Sequence, residues 1–552
     1  EGRYGGSNLT SSNLAQTDTR AFLIVDSFLG TATGGERKRQ YTPQRRQIDA
    51  TVSYFKDGRG GSHTLKAGGG IQPELRNDGY TQLASGNVKQ NMNNGLPVSV
   101  VLDVPTALRV GKDAADVNKD DLTTLDRLGV AHMYATDQWQ VGRTTLNLGL
   151  RWDRYNAWSP DQIQLPYSFG PVNLPAASFP EQHYFTWNKV VPRIGVSYDL
   201  SGDGKTVVKA NYSLFAFNPG ISLGGLANKN QLQKTVTYAW ADNAACAACI
   251  ARDGVYQPGE EGNLLASTLS NNIQLSPTLK QPTSTQASLF FERQLTQDLG
   301  GRVGFVYFNV RDQVATYQAY RPPSAYTVPF TVVDRGADNV VGTSDDRALT
   351  YLGVPNSQLA SFPTTQVVTS VPNNGTYKSI EITLNRRRSK NWSAGSGFGY
   401  TWQHDFPGGY PNTANGPFDE ARRIWSLKAN ATYNLPFQVL LSAAYRFQAG
   451  TNYARTLSVS APAACACTFT QPNQPVTPFN AFATDDVSVL DLRFEKTLGL
   501  SSFAKLHLFV DGFNLLNAYA AETTSVATGP TFQRPTAILA PRTAKVGFRV
   551  SW

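Results

Sequence analysis

The chain of 552 residues has only 2 Met, 4 Cys and 5 His. Nowhere does it approach the ~20 unbroken apolar residues that a membrane-spanning helix needs. A helical membrane protein is excluded, in keeping with a mean hydropathy of −0.32. His63, His132, His183, His404 and His507 stand on separate segments without HExxH or related spacing. No G-x-S-x-G is present, so there is no nucleophile elbow. Gly68-Gly69-Gly70 falls inside a strand pattern rather than ahead of a helix, and is not a phosphate loop. With no catalytic constellation, the chain is expected not to be an enzyme. No signal peptide precedes Glu1, as expected of a mature chain or a fragment.

A concentrated basic stripe is also lacking. The 50 Lys+Arg against 41 Asp+Glu are scattered. The dense runs, Arg37–Arg39 with Arg45–Arg46 and Arg386–Arg388, read as basic turns and solvated faces. Nucleic acid is not an expected partner. What is abundant is aromatic and turn chemistry: 24 Tyr, 28 Phe and 47 Gly. Such a chain folds, and it favours strands joined by turns.

Strict alternation of apolar and polar residues runs through the chain. Ala544, Val546, Phe548, Val550 and Trp552 alternate with Thr543, Lys545, Gly547, Arg549 and Ser551. The pattern recurs in 504–510, 490–494, 439–447, 425–433, 380–384, 208–214, 194–200, 146–152 and 48–54. Nearly every strand has one face carrying Lys, Arg, Asp or Glu, which excludes a sandwich core. One apolar face repeated over the whole length needs a bilayer, where a closed barrel satisfies every backbone group. Connections alternate between short (56–60, 140–143, 201–204, 296–300, 387–390, 434–436, 497–500) and long (72–128, 155–188, 217–283, 312–376, 404–422, 449–486, 517–540). The expected fold is therefore an all-β, antiparallel transmembrane β-barrel of the bacterial outer membrane. About sixteen strands are visible, with long loops extracellular and short turns periplasmic. Trp139, Trp152, Trp187, Trp392, Trp402, Trp425 and Trp552 are expected to form interfacial girdles.

Cys246/Cys249 and Cys465/Cys467 both fall in long, outward loops. Zinc needs four ligands, and neither pair has a His or a second CxxC nearby. The Cys246-x-x-Cys249 spacing suits a redox centre but follows no βα unit. Two small loop-tip disulfides are expected.

The last strand, Lys545-x-Gly547-x-x-Val550-x-Trp552, resembles the signal by which the bacterial barrel-assembly machinery reads its clients, with Trp where Phe is usual. Leu508 to Asn517, followed by Pro541-Arg542, resembles the C-terminal region of TonB-dependent outer-membrane receptors. Asp137-Gln-Trp139 with Thr144–Tyr155, and Val191–Asp199 with Gly202–Thr206, are similar to the long-loop, Oar-like receptors of acidobacteria. That resemblance implies uptake of a bulky nutrient, energised through TonB, by a barrel of about twenty-two strands around an N-terminal plug. Residues 1–19 are too short for a plug or a coupling box. The barrel is accordingly assigned to 20–552, with the plug expected upstream of Glu1. The alternative is a passive porin, or a structural barrel that docks a partner through its large loops. The loops that would select a substrate carry no readable ligand motif.

Two acidic stretches are candidate cation sites. Asp334, Asp338, Asp345 and Asp346 surround two glycines and resemble the calcium-binding repeats of secreted bacterial proteins. They suit either Ca²⁺ or a plain solvated loop. Asp116-x-Asn118-x-Asp120 has EF-hand spacing but lacks the Gly and Glu that such a loop needs at its later positions. No other cofactor is expected.

Overall fold

The computed structural model describes residues 2–8, 11–12, 22–27, 29–34, 38–81, 88–104, 124–164, 166–231, 234–243, 246–318, 325–338, 340–361, 365–370, 375–405 and 420–552. One sheet holds 17 strands. Two of them, Gly2–Asn8 and Ser11–Ser12, lie end to end along the same neighbour, so together they form strand β1. The wall continues as β2 (Lys38–Lys56), β3 (Ser62–Thr81), β4 (Thr124–Val141), β5 (Thr144–Ser159), β6 (Gln182–Asp199), β7 (Thr206–Ala216) and β8 (Thr283–Gln294). It then runs through β9 (Leu299–Arg311), β10 (Gly375–Ser389), β11 (Trp392–Asp405), β12 (Glu420–Leu435), β13 (Val439–Gln448), β14 (Val487–Gly499), β15 (Lys505–Phe513) and β16 (Thr543–Ser551). Merging the first two of the 17 leaves sixteen among the described residues, the number visible in the alternation pattern. Each strand pairs antiparallel with its sequence neighbour. The sheet starts at Gly2, earlier than the boundary at residue 20 that the sequence suggested. Seven connections on one side are short turns, and those on the other are long. In the turn after β6, Gly202 (φ 78°) and Gly204 (φ 74°) adopt a left-handed backbone. Their amides donate to Asp199 at 2.9 and 2.8 Å, closing the turn without a longer loop.

Register divides the wall into two faces. Along β2–β5 the outward set includes Ile48, Val52, Tyr54, Ile71, Met133, Leu148 and Leu150, all exposed. Across β10–β16 it includes Ile380, Ile382, Trp425, Tyr433, Leu441, Phe494, Leu508, Val546 and Phe548. Exposure of 72% at Phe548 and 77% at Val546 would be costly in water, and is what a lipid-facing band requires. On β11, Trp392 and Trp402 share this face ten residues apart. At ~3.3 Å per residue and a tilt near 40° that spans about 25 Å, the height of the apolar band. Trp392 and Trp402 therefore mark its two edges.

Buried apolar clusters lie elsewhere. Residues 22–34, 88–104 and 234–267 build a six-stranded sheet on the extracellular side. Val100, Leu102, Val236, Trp240 and Tyr256 form its core, with Tyr167 and Val172 packed on it. A second lobe, from 325–355 and 456–475, has Phe330, Tyr351, Val354, Val459 and Phe469 inside. A third cluster, of Leu128, Val130, Tyr155, Trp187 and Leu279, sits at the mouth of the barrel. Trp187 thus departs from the girdle reading: it is 6% exposed, points inward, and donates to the Leu279 carbonyl at 3.2 Å. Odd-numbered residues of β6 face the lumen, and near the strand's extracellular end the loop residue Leu279 covers that face.

An arginine in place of Phe548 puts a charge on the lipid side near the midplane. This should destabilise the folded barrel by about 2–4 kcal/mol, measured as a lowered urea midpoint in lipid vesicles. The charge-conserving Arg549→Lys, on the other face, should leave that midpoint within experimental scatter.

Candidate functional site

The inner face of the wall is the first candidate. Lys209 pairs with Glu292 across β7 and β8 at 2.7 Å. Arg302 lies 3.5 Å from Glu381, and Arg493 grips Asp511 through two bonds of 2.5 and 2.8 Å. Glu495 receives His507 at 3.1 Å and Arg549 at 3.6 Å. Lys545 stands opposite Asp511 in the register. Lys209, Glu381, Arg493, Asp511, Lys545 and Arg549 thus lie together on the charged face that the alternation sets apart from the apolar one. Lys209–Glu292 and Arg302–Glu381 are hydrated on both sides, so each contributes at most about 1 kcal/mol, while Asp511 and Glu495 are buried beneath their partners. The effect of all these pairs is to line a wide lumen with charges of both signs that largely cancel.

Aromatic rings stiffen the same face. Phe290 lies over Gly304 on the next strand, where any Cβ would collide with the ring, and Arg302 stacks on that ring at 4.8 Å. Phe509 covers Gly547 in the same way, with its Cζ 2.5 Å from where a Cβ would stand, and Arg493 stacks on it at 4.5 Å. Gly547, singled out in the last strand, is thus the place where the wall makes room for Phe509. Of the other residues of that motif, Val550 and Trp552 lie on the outward face, with Trp552 92% exposed.

The mouth holds a buried polar chain that sequence reasoning missed. Arg76 of β3 donates to Asp126 of β4 at 3.0 Å, and Asn228 donates to the other Asp126 oxygen at 2.9 Å. Gln162 donates to Asn228 at 3.2 Å, Asn230 to Gln162 at 3.2 Å, and Lys234 to Asn230 at 3.0 Å. Helix α1 (Gly220–Gly225) ends against this chain, since a Cβ on Gly225 would strike the Arg76 guanidinium. The chain ties the loop after β7 to β3, β4 and the loop after β5. Burial pushes the Lys234 ammonium down to about 8. The one available signal was an excess of Asn and Gln in 228–233, which has no periodicity to interpret.

In the second lobe, the acidic stretch is organised around arginine. Asp334, fully buried, accepts Arg455 at 2.7 Å and Arg347 at 3.1 Å. Burial alone would raise its carboxyl, but the two guanidinium bonds outweigh this and lower it. Arg455 also donates to the Gly336 carbonyl at 3.1 Å and to Thr528 at 2.8 Å. Asp338 accepts the Val340 amide, Asp345 the Ala337 amide and Asp346 the Gly342 amide. Asp334 is thus met by two arginines, and Asp338, Asp345 and Asp346 by turn amides. Among the described residues no group of three or more His, Cys, Asp or Glu is arranged to hold a metal ion. Asp116, Asn118 and Asp120 lie outside the described residues. Cys246 is bonded to Cys249 and Cys465 to Cys467, with Cα atoms 5.1 and 5.0 Å apart, each pair in an extracellular loop. The histidines stay apart: His63 with Asp137, His132 with Asp49, His183 with Glu181, and His507 with Glu495.

Two outcomes follow from these buried charges. Asp334→Ala leaves the Arg455 guanidinium buried without a counter-ion. It should destabilise the second lobe by about 3–5 kcal/mol, seen as faster amide exchange across 328–355 with the wall unaffected. For Lys234 the folded pKa lies below the ordinary 10.5. The folded state therefore holds fewer protons than the unfolded one from about pH 8 upward, and lobe stability rises with pH through that window. Tyr167 and Tyr256, raised by burial, affect stability only above about pH 10, where the unfolded tyrosines ionise. Oxidative footprinting of Trp240 in urea should show the lobe opening at higher urea at pH 9.5 than at pH 7.5.

Over residues 3–461 the chain matches the family described as outer membrane beta barrel domain. No curated protein sequence matches it. Among solved structures it is similar to the outer membrane transporter YddB from Escherichia coli, with TM-score 0.54 and 10% identity, over 100% of this chain and 60% of that one. It also matches the siderophore receptor PirA from Acinetobacter baumannii, with TM-score 0.47 and 11% identity, over 100% of this chain and 59% of that one. A third match is the ferric-catecholate import receptor Fiu from E. coli K12, with TM-score 0.46 and 10% identity, over 99% of this chain and 59% of that one. The chain therefore spans about three fifths of the length of these proteins, and what it shares with YddB is the fold. A barrel is present, as the resemblance to outer-membrane receptors implied, but among the described residues its wall has sixteen strands and not the twenty-two that the resemblance implied. The chain belongs to the outer membrane beta barrel domain family, and its strands cross the bacterial outer membrane with the long loops outside and the short turns in the periplasm.

Proposed function

We propose that this chain is the wall of an outer-membrane receptor that takes up a bulky nutrient with energy delivered through TonB, and that its lumen holds a plug. The observation that carries this reading is the inner face. Side chains fill only barrels of about eight strands, and the wall here is twice as wide. Its lining is hydrated and of mixed sign, with Lys209–Glu292, Arg302–Glu381 and Arg493–Asp511 facing the lumen. Such a surface suits many moderate contacts to a polar plug, whereas an ion-selective pore usually carries one sign. The fold shared with an outer membrane transporter supports the same reading. The extracellular lobes, built from the loops after β1, β3, β5, β7, β9 and β13, are the surface on which a ligand is first met. Insertion through the barrel-assembly machinery, read from Lys545, Gly547, Val550 and Trp552, belongs to the same proposal.

In a planar bilayer, the full-length native protein should be nearly closed, opening only when the plug is displaced by denaturant. Large steady conductance from the untreated native protein would overturn the plugged-receptor reading in favour of a passive porin.

A further inference from the structure

On the lipid-facing side of β9 to β12, one row of side chains runs straight across four strands. Tyr307 stands opposite Lys378, Lys378 opposite Trp402, and Trp402 opposite Arg423. The row therefore alternates aromatic, cation, aromatic, cation. The neighbouring row on its periplasmic side, Phe305, Ile380, Tyr400 and Trp425, contains no charge. Because Trp402 marks the extracellular edge of the apolar band, Lys378 and Arg423 lie at headgroup level in the extracellular leaflet. Both are exposed, and neither has an ion pair or hydrogen-bond partner among the described residues. A cavity of about 520 Å³ opens here, with Thr376, Lys378, Trp402, His404 and Arg423 in its lining. Two strand spacings of ~4.8 Å put the two cations about 10 Å apart.

The periplasmic edge of the same strands is built differently. There the outward Arg386 is answered from within the protein, by Asp298 at 3.2 Å and by the ring of Trp392 at 3.9 Å. At the extracellular edge no acid among the described residues answers Lys378 or Arg423, which leaves both open to a counter-charge from outside the chain. Basic side chains at a bilayer surface attract anionic headgroups. The planar arginine fork fits phosphate bidentately, and lysine meets it as a point charge. Tyr307 and Trp402 offer amphipathic faces to the sugar or glycerol and to the first acyl carbons.

We propose that the row Tyr307–Lys378–Trp402–Arg423 is a binding site for a phosphate-bearing lipid headgroup of the extracellular leaflet, with Arg423 and Lys378 holding phosphate. The site depends on the orientation of the barrel in the membrane and not on the transport reading above.

Native mass spectrometry of the full-length protein in detergent, titrated with bis-phosphorylated lipid A, tests this. The wild type should retain the lipid. The double variant Lys378→Gln/Arg423→Gln should bind it roughly thirty-fold more weakly, the equivalent of about 1 kcal/mol for each basic residue lost near an anionic surface. Lys496→Gln, an outward lysine at the periplasmic edge, should bind as the wild type does, and heat-modifiability on gels reports that each variant is folded. Fully dephosphorylated lipid A should bind wild type and double variant alike, and weakly. Unchanged binding by the folded double variant would overturn the site. Equal binding of phosphorylated and dephosphorylated lipid by the wild type would overturn the phosphate assignment. Inorganic phosphate displacing lipid A at comparable concentration would make this a free-anion site and overturn the lipid assignment.

Discussion

A bilayer offers no hydrogen-bond partner to a backbone, and the rest of this structure depends on that constraint. Each N–H and C=O crossing the membrane must be met by a neighbouring strand. A strand so held presents alternate side chains to two different solvents. Lipid then selects Val, Ile, Leu, Phe and Trp on one face, and water tolerates Lys, Glu, Asn or Gly on the other. The glycines of the inner face follow from the same geometry. Where a ring lies flat across the neighbouring strand, as Phe290 does on Gly304 and Phe509 on Gly547, a Cβ would occupy the ring's place. The arginine stacked on each ring keeps the polar lining continuous over an aromatic patch.

Charges do different work in the two parts of the molecule. Along the lumen, Lys209–Glu292 and Arg302–Glu381 are half-hydrated on both sides, so losing one partner leaves the other in water at little cost. In the second lobe, Asp334 is fully buried and Arg455 nearly so, and removing either leaves a charge with no solvent to receive it. That clamp joins the loops after β9, β13 and β15, because Arg455 also reaches Thr528. The chain from Asp126 to Lys234 plays the corresponding part at the mouth, anchoring the first lobe to β3 and β4.

Alternation made the wall legible. The strands from Ile48 to Trp552 stand where the period-2 pattern places them, and the seven short turns fall within a few residues of it, the last at 500–504 and not 497–500, because the pattern and the membrane impose the same rule. Strand β1 escaped because Gly2-Arg-Tyr-Gly-Gly-Ser-Asn has no apolar face; its pairing is fixed by β2. Trp187 was misjudged because alternation tells which face a residue takes only when the strand's register is known, and its cover, Leu279, lies 92 residues further on. The lobes were not legible at all. Their strands are short and pair across loops distant in sequence, as Lys234–Trp240 does with Leu96–Val104. The aspartates of 334–346 read equally well as cation ligands because composition shows the carboxylates and not the arginines that meet Asp334 or the turn amides that meet the other three.

The division between wall and lobes also accounts for a shared fold at 10% identity. The wall is held by backbone pairing and by the polarity of its two environments, and neither depends on which apolar or polar residue fills a position. Substitution within each class leaves strand number, tilt and register intact. The lobes have packed cores of their own, around Val100 and Trp240 in one and Phe330 and Phe469 in the other. They can therefore be rebuilt without disturbing the strands that carry them. A barrel of this construction keeps its passage through the membrane while the surface that meets the outside world changes, and that surface is the part of this chain least readable from its sequence.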